Sequence, residues 1–234
     1  MERIYTIPVN EAFDASISDP ACGCPLCALY NKLEEDELEL ILGGSMMEPD
    51  VRIKTNELGF CGTHFDKLFK KKNRLGLGLI LESHLGEIEK SFKGKGIASL
   101  FSSPSDKVLR TAARLDRSCY ICQRIEHNFS GMLSTVVLLF EEDEAFRKKL
   151  AGQPYFCLPH TRRLLERGEG NLSKKLLPLF NEAVMRPVKE YLSALSGDVS
   201  WFCKKFDYRY GEEPWYNAKD SIERAILFLS GTER

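Results

Sequence analysis

Long apolar runs are missing from this 234-residue chain. The longest, Leu77 to Leu81 and Val136 to Phe140, fall far short of the ~18 residues that suggest a membrane span. Charge of one sign is missing too: 33 Lys and Arg stand against 34 Asp and Glu, a net charge of -1. That balance gives no global attraction to nucleic acid or anionic lipid, so such binding would need a local basic patch. No apolar leader follows Met1-Glu2-Arg3, and the expectation is a soluble cytoplasmic protein without membrane partners. The sequence also carries no Ser-His-Asp order, phosphate loop or dinucleotide fingerprint. Strand signals are scarce, Ile4 to Val9 excepted. At this length a core can form without disulfides, because roughly 70 to 75% of the unfolded surface is buried on folding.

What the chain does have is a patterned set of eight cysteines and four histidines. Cys24-Pro25-Leu26-Cys27 is followed by Phe60-Cys61-Gly62-Thr63-His64. Cys119-Tyr120-Ile121-Cys122 is followed by Phe156-Cys157-Leu158-Pro159-His160. The offsets between the two sets are 95, 95, 96 and 96 (119−24, 122−27, 157−61, 160−64). The 96 offset also relates Phe60 to Phe156 and Leu68 to Leu164. Cys22, Cys203, His84 and His127 stand outside the pattern.

Chemistry explains the residue types. Two thiolates three positions apart chelate one ion from a turn or a helix start, and Cys-x-x-His supplies a second pair. Together they complete a closed tetrahedron with Zn–S near ~2.3 Å and Zn–N near ~2.0 Å. The expectation is two zinc ions in two Cys3His sites, one within each half, tying helix starts about 35 residues apart. Each site would carry a net charge of about -1, with Lys67, Arg124, Arg162 and Arg163 placed to offset it. A c-type haem would need His directly after the second cysteine, where Ala28 and Gln123 stand, and the flanks lack the βαβ pattern of a thioredoxin-like redox site. An iron–sulfur cluster is the alternative, since three thiolates and one imidazole can also hold one; Cys22 could then replace His64.

The rest of the chain reads as helix. Apolar spacing predicts helices leaving Cys27, from Cys61 to Lys72, from Leu75 to Phe92, and from Ser105 to about Arg117. A short helix between Ser45 and Gly59 would take Asp50 as its N-cap. Further helices are expected from about Ile121 to Leu150, from Cys157 to Arg167, from Leu172 to Phe206 with kinks at Pro178 and Pro187, and after Trp215. Lys93-Gly94-Lys95-Gly96 and Ser102-Ser103-Pro104 bracket a linker. The fold class is therefore all-α: two similar helical repeats, about 1–100 and 101–200, with an aromatic-rich tail and final helix over 201–234.

With the ligands placed, the chain resembles an uncharacterised bacterial family carrying a domain of unknown function. The likeness rests on Ile4-Tyr5-Thr6-Ile7-Pro8-Val9-Asn10, Cys24-Pro25-Leu26-Cys27, Met47-Glu48-Pro49-Asp50-Val51-Arg52, Gly59-Phe60-Cys61, Asn73-Arg74-Leu75-Gly76-Leu77 and Lys205-Phe206-Asp207-Tyr208-Arg209. It spans almost the whole length and implies membership without implying an activity.

Three other constellations bear on function. Lys67, Lys70, Lys71, Lys72 and Arg74, with Arg162, Arg163 and Arg167, make basic helices that could grip phosphates as a nucleic-acid module would. The acidic run Glu34-Glu35-Asp36-Glu37 is their natural counterweight. Asp207, Tyr208 and Arg209 could line a small-ligand pocket, with Arg209 gripping a carboxylate or phosphate; the plainer reading has this tail docking its aromatics on the core. Glu48 and Asp50 could form an acid/base pair. The sequence leans towards a non-enzymatic zinc-stabilised protein that binds a protein partner or small ligand, with an iron–sulfur or redox-active protein or enzyme as the alternative and a nucleic-acid-binding zinc module as a third reading.

Overall fold

The computed structural model describes residues 4–93 and 103–231, and among them the regular structure is helical throughout. The elements are α1 (Thr6–Ser18), α2 (Pro25–Leu42), α3 (Pro49–Leu58), α4 (Gly62–Lys70), α5 (Arg74–Lys93), α6 (Pro104–Leu115), α7 (Tyr120–Glu142), α8 (Glu144–Ala151), α9 (Leu158–Asn171), α10 (Leu177–Lys204) and α11 (Ser221–Ser230). Short 3-10 turns lie at Pro20–Cys22, Ser45–Met47 and Tyr208–Tyr210. None of the helices is long and apolar enough to cross a membrane.

Two compact units emerge. One holds the described residues up to Lys32 with those from Phe129 onward; the other runs from Leu33 to Asn128. The linker expected from Lys93-Gly94-Lys95-Gly96 to Ser102 falls mostly outside the described residues.

In the first unit, Phe13 packs against Phe146 and Phe156, with ring centroids 5.3 and 6.1 Å apart, and Phe140 meets Phe180 edge-on at 5.0 Å. α10 packs along α8, α9 and α11. In the second unit, α5 lies against α3 and α6. Arg52 ties α3 to α5 by donating to the Leu79 carbonyl and Ser83 Oγ.

Several sequence expectations are corrected. Ile4 to Val9 is not a strand: α1 begins at Thr6 and buries Val9, Phe13 and Ser16, a spacing that fits one face of a helix. The stretch from Ile121 to Leu150 is two helices, divided at Asp143, whose side chain accepts from Ala145 N–H to start α8. Pro178 makes no kink because it sits in the first turn of α10, where its missing N–H costs nothing. Pro187 does lie inside that helix. Asp50 is not the N-cap of α3; Glu48 is, with extended backbone at ψ 127°, because Pro49 forces the preceding residue out of the helical region.

Candidate metal centres

Each chelating pair opens a helix. Cys24 and Cys119 immediately precede α2 and α7, while Cys61 and Cys157 cap α4 and α9 with closely matching backbones (φ −72°, ψ 164° and φ −66°, ψ 157°). At all four starts the first cysteine's carbonyl accepts from the N–H four residues on, at Ala28, Gln123, Phe65 and Thr161. Cys27, Cys122, His64 and His160 thus fall one turn inside, beside their partners. The positive ends of these helices favour thiolate over thiol.

The pairs then meet in exchanged order. Cys24, Cys27, Cys157 and His160 form one group, and Cys61, His64, Cys119 and Cys122 the other, with the donor atoms of each group within 4.8 Å of one another. All eight expected ligands are gathered, but the expected pairing within each half is wrong. Helix length supplies the reason. α2 has 18 residues and carries the chain about 27 Å from Cys24, whereas the 10 residues of α3 return it only about 15 Å. His64 therefore meets α2 at Glu34, well short of its start. Likewise α7 (23 residues) outruns α8 (8 residues), and His160 meets α7 at Phe129.

Distances fit one small ion per group. In the second group His64 Nδ1 lies 3.1 Å from Cys61 Sγ and 3.3 Å from both Cys119 and Cys122 Sγ, and Cys61 and Cys122 Sγ are 3.9 Å apart. In the first, His160 Nδ1 stands 3.7, 3.4 and 3.1 Å from Cys24, Cys27 and Cys157 Sγ, with 3.6 Å between the sulfurs of Cys27 and Cys157. A tetrahedron with Zn–S near ~2.3 Å has S···S edges of about 3.8 Å and slightly shorter S···N edges. Both histidines present Nδ1.

Crowding polarises the thiols. Hydrogen bonds from Cys157 and then Cys24 hold the Cys27 thiol far below its ordinary range, whereas burial, followed by contacts with Cys157 and Cys27, pushes Cys24 up. In the other group, the bond to Cys122 draws Cys119 down to about 3, and the same bond pushes Cys122 up. Thiols gathered this closely are a donor set that could hold a divalent cation.

The surroundings differ in three respects. First, the Cys24 group is the more buried: Cys24 is 2%, Cys27 9%, Cys157 0% and His160 0% exposed, although Cys24 and Cys27 border a cleft of about 680 Å³. In the Cys61 group His64 and Cys119 are buried, yet Cys61 is half-buried and Cys122 exposed. A groove of about 490 Å³, lined by both these cysteines with Arg117, Gln123 and Glu126, opens onto it.

Second, the histidines have different backing. His64 Nε2 lies 3.2 Å from Glu34 Oε1, close enough for pairing though off the line of a straight hydrogen bond; Lys67 holds the other carboxylate oxygen at 2.5 Å. His160 packs at 5.2 Å from the Phe129 ring, and Phe129 is the residue 95 positions after Glu34 (129−34).

Third, the supports differ. Tyr120 N–H donates to the Gly59 carbonyl at 2.9 Å, and Ser118 Oγ donates to Leu58 O at 2.7 Å, joining the two cysteine turns of the Cys61 group. The residue matching Tyr120 in the other group is Pro25, which has no N–H. There Ser16 Oγ donates instead to the Gly23 carbonyl at 2.7 Å, and Gly231 closes over the sulfurs, so near that a Cβ would lie 3.3 Å from Cys157 Sγ.

The other sequence candidates are elsewhere. Lys67 serves Glu34, and Arg124 pairs with the buried Glu37. Lys71 pairs with Glu35, Arg162 with Glu166, and Arg163 lies over the Phe129 ring, so much of the basic character is balanced locally. Cys22 is exposed with its sulfur 3.8 Å from Asp19 and belongs to neither group. Asp207 caps the Tyr208–Tyr210 turn and pairs with Arg209, while Tyr208 is 92% exposed. The tail after α10 folds back on Trp201 and Phe202 through Tyr210, Trp215 and Tyr216. His127 is exposed; His84 is buried, with Nδ1 3.1 Å from the Asn56 carbonyl. Glu34 and Phe129 were not anticipated. The available signal was that Glu34 and Glu37 fall among the buried positions Leu26, Leu38 and Ile41 of α2, where a purely solvated acidic run would not.

Neither the curated proteins nor the solved structures contain a match to the chain. One family model covers residues 1–234. With two Cys/His clusters and an all-helical fold, the chain belongs to that family, described as a family of unknown function (DUF6062).

Proposed function

We propose that this chain is a zinc protein in which two closed Cys3His sites hold a helical scaffold that binds a partner or small ligand. The carrying observation is the donor geometry: in each group four donor atoms lie within 4.8 Å of one another, the scale of a single-ion tetrahedron. An iron–sulfur cluster spreads its ligands over several irons and would hold them farther apart. The chain arose, on this reading, by duplication into units of about 1–100 and 101–200, which exchange their Cys-x-x-His pairs.

The sites are structural in the sense that a closed tetrahedron leaves no position for substrate. Cys24, Cys27, Cys157 and His160 would hold one ion, and Cys61, His64, Cys119 and Cys122 the other; the ion would supply charge and fixed geometry. Small-ligand binding has support in a cleft of about 680 Å³ in the first unit, lined by the stacked rings of Tyr155 and Tyr191 with Asn31 and Arg224 and bordered by Cys24 and Cys27. Metal analysis of protein purified without oxygen tests the reading. Two colourless zinc ions per chain are expected; brown protein with iron and sulfide would overturn it.

A further inference from the structure

We infer that the Cys61 group is a reversible oxidation site, in which peroxide joins Cys61 to Cys122 as a disulfide and releases that ion while the Cys24 group keeps its own. This rests on the zinc reading above and adds a chemical difference between the two sites. The argument begins with access. An oxidant must touch sulfur, and the Cys61 group offers more of it: Cys122 is exposed, Cys61 is half-buried, and both line an open groove. In the Cys24 group Cys24 and Cys27 border a cleft, but no cysteine exceeds 9% exposure, and Gly231 lies against the sulfurs.

Geometry selects the pair. Cys61 and Cys122 Sγ stand 3.9 Å apart, so a bond of about 2.05 Å needs a small side-chain movement. The third thiol of the group, Cys119, is 5% exposed and shielded from the first attack.

Electronics point the same way. Three thiolates and one imidazole on a divalent ion keep a net charge of about -1, so the sulfurs remain electron-rich. Glu34 Oε1 also lies 3.2 Å from His64 Nε2, placing a carboxylate behind the imidazole as metal-binding histidines commonly have.

The chemistry balances in two steps. The Cys122 thiolate attacks one peroxide oxygen; the O–O bond breaks, a proton is taken up, and sulfenic acid and water form. The Cys61 thiolate then attacks the sulfenic sulfur, forming the S–S bond and expelling hydroxide. The two thiolates lose two electrons and hydrogen peroxide gains them. His64 and Cys119 are left as the ion's remaining donors, and two donors hold it weakly. The disulfide joins the cap of α4 to the first turn of α7, so the helix starts tied by the ion stay tied by a covalent bond, and a dithiol with fresh zinc reverses the change.

The test uses the full chain carrying Cys22→Ser and Cys203→Ser, which removes the two exposed cysteines outside both groups. Zinc is counted first; anything other than two per chain defeats the zinc reading itself, before peroxide is added. Hydrogen peroxide is then titrated while a chromogenic chelator reports free zinc, and differential alkylation with peptide mass spectrometry maps the disulfide. One equivalent should leave at least tenfold faster than the second, with Cys61 linked to Cys122 and retained helical circular dichroism. Dithiothreitol plus zinc should restore two ions. Simultaneous loss of both ions, loss of neither, or a first disulfide within Cys24, Cys27 and Cys157 overturns the inference while leaving the zinc count intact.

Discussion

Glu34→Gln should weaken one metal site and leave the other untouched. Glu34 is buried, its Oε1 3.2 Å from His64 Nε2 and its Oε2 held by Lys67. The substitution preserves shape but removes the negative charge beside the imidazole. Removing such a partner lowers metal affinity roughly 10- to 100-fold, equivalent to about 1.4 to 2.8 kcal/mol. The Cys24 group, with its separate set of donors, should not respond. A competition titration with a chelator of graded affinity should show two zinc-transfer steps in the wild type, with only one displaced in the variant. Equal displacement of both steps would mean the substitution acts through general stability, and displacement of neither would refute the role assigned to Glu34.

Other substitutions probe the surroundings. Gly231→Ala should loosen the more buried site, since it forces a side chain into a backbone at φ +63° and against Cys157 Sγ; the chelator titration should shift the step that Glu34→Gln spares. Phe13→Ala, emptying a fully buried position beside Phe146 and Phe156, should cost about 3 to 5 kcal/mol in denaturant unfolding with zinc saturating. Burial holds the His84 imidazole below its usual pKa, partly opposed by the Asn56 carbonyl and assisted by the charge of Arg114. The unfolded chain therefore takes up this proton first, near pH ~6.5, and the folded state loses stability as pH falls below that value until the folded pKa is passed. His84→Gln should flatten this part of the stability profile, and an unchanged slope would exclude His84 as its source.

The two clusters' residues were legible because chelation demands particular residue types at fixed short spacing, and four helix starts reproduce that local demand. Their partnership was not, because it depends on how far α2 and α7 carry the chain before α3 and α8 bring it back. Helix lengths were readable only approximately: the Asp143 break between α7 and α8 was run through as a single helix. α1 was misread because Ile4, Ile7 and Val9 suit a strand locally, while Val9, Phe13 and Ser16 fix a helix through burial that only tertiary packing reveals. By charge pattern Glu34 reads as part of a solvated acidic run balancing Lys67 and Lys71. Both ion pairs exist, yet Glu34 also faces inward to His64, and a charge pattern alone does not distinguish those positions.

The central claim is the exchanged pairing of ligands, and cadmium substitution followed by proton–113Cd correlation NMR tests it most directly. Scalar couplings should connect one cadmium to the β-protons of Cys24, Cys27 and Cys157 and to the His160 ring, and the other to Cys61, Cys119 and Cys122 and the His64 ring. A cadmium coupled to Cys24 and Cys27 together with Cys61 and His64 would contradict the account.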